Sequence, residues 1–128
     1  MRRLKIHFDF IRMSVRPVIG DVRLRHCPLA DRQHRTSWRN VAHTLHYPKT
    51  ICVARILAKM PDENIQGVLW HEAGHLIMDE FVPVVNKQLG DCDKHHIEQE
   101  AELFANEVVE TMFGIVIAYD QDLIQFVT

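Results

Sequence analysis

At 128 residues, 47% hydrophobic and 25% charged with five Gly and five Pro, the chain can bury one core but not two, so one domain over 1–128 is expected and a disordered or fibrous protein is excluded. No stretch approaches the roughly 18 to 20 consecutive apolar residues of a membrane span, so no membrane partner is expected. The net charge of −2 conceals a split: residues 1–60 hold 13 Lys and Arg against 3 Asp and Glu, and 61–128 hold 2 against 14, which reads first as a solvated basic face and second as a surface for nucleic acid or another acidic partner.

Along the chain, Leu4, Ile6, Phe8 and Phe10 alternate with Lys5, His7 and Asp9, the period-two pattern of a half-buried strand. The same interruptions leave no continuous apolar region of a signal peptide, so a cytoplasmic location is the default. Val15 to Ile19 and Val22 to Leu24 flank Gly20-Asp21 and suggest a hairpin, with Pro17 restricting the first run to an edge. Residues 26–37, broken by Pro28, read as a loop. Trp38 to Leu45 fits a helix or a strand entering the Tyr47-Pro48 turn, and TICVARIL, 50–57, reads as a strand. Cys27, Cys52 and Cys92 form no CxxC pair and are expected to be reduced thiols.

Met60-Pro61-Asp62 ends that strand and opens a helix expected over 63–81, with Asp62 and Glu63 at its positive end, Ile65, Val68, Leu69, Leu76 and Phe81 on its apolar face, and Pro83 beyond it. A second helix is expected over 94–112, with Ile97, Ala101, Phe104, Ala105, Val108 and Met112 as its stripe and Gly114 as a break. The tail from Ile115 to Val127 fits a strand or a final helix. Trp38 and Trp70 read as core aromatics, and His95 and His96 as exposed residues at a helix start.

Within the first helix lies His71-Glu72-Ala73-Gly74-His75. Residues four apart share a helix face at a rise of about 6 Å, so two imidazoles can address one ion, while Glu72, about 100° round, can lean over a water on that ion. Gly74 mid-helix costs about 1 kcal/mol and implies close approach of a neighbouring helix. Catalytic zinc commonly takes three protein ligands and leaves a fourth position for water. Glu98, Glu102 and Asn106 recur at four-residue steps in HHIEQEAELFAN, 95–106. Glu98 could complete the ligand set while Glu102 accepts the remaining N–H of His71.

On these motifs, residues 50–110 resemble the gluzincins, zinc metallopeptidases with HExxH on one helix and a glutamate ligand on the next, and within them most resemble the ImmA/IrrE-type peptidases. The resemblance implies a small α+β zincin-like domain: a short, mostly antiparallel N-terminal sheet, the HExxH helix, and a second helix carrying the glutamate. It implies Zn2+ held by His71, His75 and Glu98, Glu72 as general base, Glu102 behind the ligands, the 50–57 strand as the substrate-binding edge, and a protein or peptide substrate. The family prefers Asp or Asn where this chain has Glu102, which leaves the third ligand open between Glu98 and Glu102. For a transition-state donor His43, His46, Tyr47, His95, His96 and Tyr119 are all available. Two other readings stand beside the peptidase: a regulatory or binding module that retains a zinc site, and an SprT-like, DNA-associated protease using the basic half.

Overall fold

The computed structural model describes residues 2–33, 41–81 and 105–115. They form an α+β arrangement: α1 (Arg2–Ile19), β1 (Arg23–His26), α2 (Pro28–Gln33), β2 (Ala42–His46), β3 (Lys49–Val53), a 3-10 turn (Arg55–Lys59) and α3 (Asp62–Phe81), followed by α4, helical over 105–113.

The N-terminus is a helix, not the expected strand. Leu4, Phe8, Ile11, Val15 and Ile19 are its buried residues, a helical repeat, whereas Ile6 and Phe10, which a strand would bury with Leu4 and Phe8, are exposed. Leu4 and Phe8 satisfy both periods, and packing against α3 decides between them. Arg3 Nε and His7 Nε2 reach the Asp62 carboxylate at the start of α3, at 3.3 and 3.0 Å, and Gln66 Nε2 lies 3.2 Å from His7 Nδ1. Val15 to Ile19 therefore close α1 and form no hairpin; Gly20, at φ +79°, ends the helix with its N–H donated to the Arg16 carbonyl at 2.9 Å.

Among the described residues the sheet has three strands in the order β1-β3-β2. It is mixed, not mostly antiparallel, because β1 pairs with β3 in parallel, Leu24 opposite Ile51, while β2 pairs with β3 antiparallel, Thr44 opposite Ile51. The span that admitted a helix or a strand is a strand from Ala42; Trp38 lies outside the described residues. TICVARIL is strand only to Val53 and then a 3-10 turn. It occupies the centre of the sheet, so it is not an edge: Thr50, Ile51, Cys52 and Val53 are consecutively buried, as a strand covered on both faces requires. The expected loop at 26–37 contains the end of β1 and α2, where Pro28 takes the first helical position, at which its missing N–H costs nothing; residues 34–37 lie outside the described residues.

α3 follows its expected bounds but is buried almost all round, with Trp70, Ala73, Ile77 and Met78 joining Ile65, Val68, Leu69 and Leu76. A helix enclosed in this way is the centre of the fold. Trp70 is a core aromatic, its ring 5.1 Å from that of Phe113 on α4. On α4 the expected Ala105 is buried and the expected Val108 packs against the core, with Val109 buried beside them, whereas Met112 is exposed; Ile97, Ala101 and Phe104 lie outside the described residues. Gly114, at φ +68°, ends α4 with its N–H on the Glu110 carbonyl at 2.9 Å. Residues 94–104 and 116–128 lie outside the described residues. Among the described residues no helix is long and apolar enough to cross a membrane.

Candidate metal centre

α3 projects His71 and His75 from one face, as four-residue spacing dictates. Their Nε2 atoms stand 3.1 Å apart, and the rings meet edge to face with centroids 4.7 Å apart. Two imidazole nitrogens bound at about 2.0–2.1 Å to one tetrahedral ion are separated by about 3.3 Å, close to this spacing. The two nitrogens are within hydrogen-bond distance of each other, a spacing that one bridging ion would also fit.

The other nitrogen of His71 is held from α4. Nδ1 lies 2.6 Å from Asn106 Oδ1, and because an amide oxygen only accepts, Nδ1 carries the proton and Nε2 is left as the donor atom toward a metal. The position expected of Glu102 is met here by Asn106, the third member of the same four-residue row. That row was the signal in the sequence; which member reaches His71 depends on the docking of α4. Glu98, Glu100 and Glu102 lie outside the described residues, and among the described residues no three His, Cys, Asp or Glu side chains are grouped to hold one ion.

Glycine makes this docking possible. A Cβ on Gly74 would stand 2.5 Å from the Ala105 carbonyl oxygen, 3.0 Å from its carbon and 3.1 Å from the Ala105 Cβ. The helices touch backbone to backbone here, one residue from Asn106. The close approach expected from Gly74 is therefore present, and the helix making it is α4.

Glu72 is buried, at 8% exposure, as is His71 at 5%. Burial, then the neighbouring Cys27, push the Cys52 thiol of β3 up; Arg25 opposes this and the Glu72 carboxylate adds to it. Cys27 and Cys52 are free thiols; Cys92 lies outside the described residues.

Burial, followed by the facing His71 and by His46, pushes the His75 imidazole down to about 4 from 6.5. The ring is held neutral, the form that coordinates a metal. In metal-free protein the unfolded chain binds more protons than the folded one between these two values, so stability falls as pH drops from about 6.5 to about 4, by on the order of 3 kcal/mol in all. Urea unfolding at pH 7 and pH 4.5 reads this loss, and His75→Leu is expected to flatten it.

At the far end of α3, His46 Nε2 of β2 lies 3.2 Å from Asp79 Oδ2, and Lys49 Nζ of β3 lies 3.2 Å from Glu80 Oε2. These pairs fasten the β2-β3 hairpin beside His75. Burial pushes the Asp79 carboxyl up, against the opposing effect of His46. Of the available transition-state donors, His43, His46 and Tyr47 are described: burial pushes the His43 imidazole down, His46 acts on the His75 ring and Tyr47 is exposed; His95, His96 and Tyr119 lie outside the described residues. Comparison of the chain with known proteins returned no matching family model, no matching curated protein and no matching solved structure.

Proposed function

We propose that this chain is a zinc-dependent metallopeptidase of gluzincin type, most similar to the ImmA/IrrE-type enzymes, acting on a protein or peptide substrate. The observation that carries this reading is the pair of Nε2 atoms 3.1 Å apart, with the opposite nitrogen of His71 held by Asn106. His71 and His75 are the imidazole ligands, and the third is a carboxylate of the 98–102 stretch, Glu98 or Glu102. A zinc ion held by these residues would supply an acidified water and a polarised peptide carbonyl. Glu72 would take the proton from the water as its oxygen bonds to the carbonyl carbon, and would give it to the leaving amine as the C–N bond breaks. The neighbouring carboxylate of the 98–102 stretch and Asn106 hold the ligands in place.

The substrate edge is reassigned with the sheet. β3 has partners on both sides, whereas among the described residues β1 and β2 each pair only with β3, and of these two edges β2 is the one packed against α3. An extended peptide can add to the outer edge of β2 through its backbone groups, with His46 at the end nearest the His75 ring.

Purified protein is expected to carry one zinc per chain, to cleave an unfolded protein substrate, to lose cleavage on chelation and to regain it with stoichiometric zinc. Cleavage that survives full removal of metal would overturn the proposal. Asn106→Ala is expected to weaken zinc binding about 10- to 100-fold, since the partner that orients a ligating imidazole typically contributes that much. Competition against a chromophoric chelator measures it.

A further inference from the structure

α1 has a second apolar face that the core does not use. Ile6, Phe10 and Met13 are 62%, 61% and 75% exposed, and with exposed Pro17 they recur at helical spacing along about 16 Å of the outward side. Arg2, Lys5, Arg12 and Arg16 border this ridge on one flank, with Asp9 the single acid among them. Beyond them a groove between α1 and β1 has Phe8 and Leu24 in its lining and Arg2, Lys5, Arg12 and Arg23, with Asp9 and Asp21, around them. Arg12 is paired with Asp21 at 2.7 Å, while Arg2, Lys5 and Arg23 form no ion pair among the described residues.

We propose that the outward face of α1 is a docking surface for an anionic lipid bilayer, with Ile6, Phe10 and Met13 entering the boundary between headgroups and acyl chains and the basic flank and groove meeting lipid phosphates. Two features select this occupant. The apolar side chains project as a ridge from the outward side of α1, and cations border that ridge along one flank; an apolar ridge bordered by cations suits a deformable apolar medium with an anionic surface. A second α1 packed antiparallel through this ridge would set one basic flank against the other, Arg2 toward the partner's Arg16. Single-stranded nucleic acid would find one aromatic side chain on the ridge, where stacking uses several. That no described helix can span a bilayer does not bear on contact with its surface.

The test is co-sedimentation of the full chain with vesicles of phosphatidylcholine alone and of phosphatidylcholine with about one third phosphatidylglycerol, anionic lipid being the attractant for a basic segment. Binding to the second and not the first is expected, with release as salt shortens the screening length. The triple change Ile6→Ser, Phe10→Ser, Met13→Ser is expected to abolish binding while leaving the thermal midpoint unchanged, because these side chains are mostly exposed. Lys5→Glu is expected to weaken it at least about fivefold, one surface cation being worth about that factor. Wild type that stays in the supernatant with both vesicles overturns the proposal, as does triple-variant binding equal to wild type. So does a wild-type dimer in solution that the triple change dissociates, or retention of a single-stranded oligonucleotide that it eliminates.

Discussion

Glu72→Gln is expected to lower kcat/KM for peptide hydrolysis about 10²- to 10⁴-fold, the usual contribution of a positioned general base, while zinc content per chain stays at the wild-type value. The substitution keeps the size and hydrogen-bonding shape of the side chain and removes its capacity to take up a proton. Glu72 is 8% exposed and flanked by buried Ala73 and His71, so an isosteric amide is the change least able to disturb α3. The two adjacent Nε2 atoms belong to other residues and are expected to keep their metal. Metal analysis and kinetics on the same preparation separate the alternatives: full activity would remove Glu72 from the base role, and loss of zinc would make it a ligand. A regulatory module with a retained zinc site would lose neither its metal nor its function.

Gly74→Ala is expected to destabilise the protein by about 1–3 kcal/mol, the range for forcing an extra carbon into a packed site. In an exposed helix the same change stabilises by about 1 kcal/mol, because alanine forms helix better than glycine. The sign reverses because the new Cβ would meet the Ala105 carbonyl oxygen at 2.5 Å, and that atom is backbone, which yields only if α4 moves. Such movement carries Asn106, whose amide oxygen is 2.6 Å from His71 Nδ1, so zinc affinity is expected to fall together with stability. The urea midpoint measures the first and chelator competition the second. A stabilising Gly74→Ala would mean that α4 is not seated against α3.

The misreadings of the sheet and of α1 have a common physical origin. Leu4 and Phe8 are compatible with alternation and with helical repetition, and what distinguishes the two is whether Ile6 or Ile11 goes inward. Ile11 does, because α1 packs along α3 and not against a neighbouring strand. The hairpin expected around Gly20-Asp21 fails for a related reason: a glycine at positive φ serves the end of a helix as well as a tight turn. The partner of β1 is β3, 27 residues further along (Arg23 opposite Thr50), and no local pattern specifies a parallel pairing at that distance.

What the sequence determined by itself is local: a helix over 63–81, the four-residue spacing that aims His71 and His75 the same way, the need for close approach at Gly74, and the stop at Gly114. Each follows from backbone geometry within one or two helical turns, which short-range spacing encodes directly. The tertiary structure alone decided which strand is central, which face of α1 is inward, and that Asn106 from α4 is the group meeting His71. Those outcomes depend on which surfaces are buried against each other, a property of the assembled core that no single segment contains.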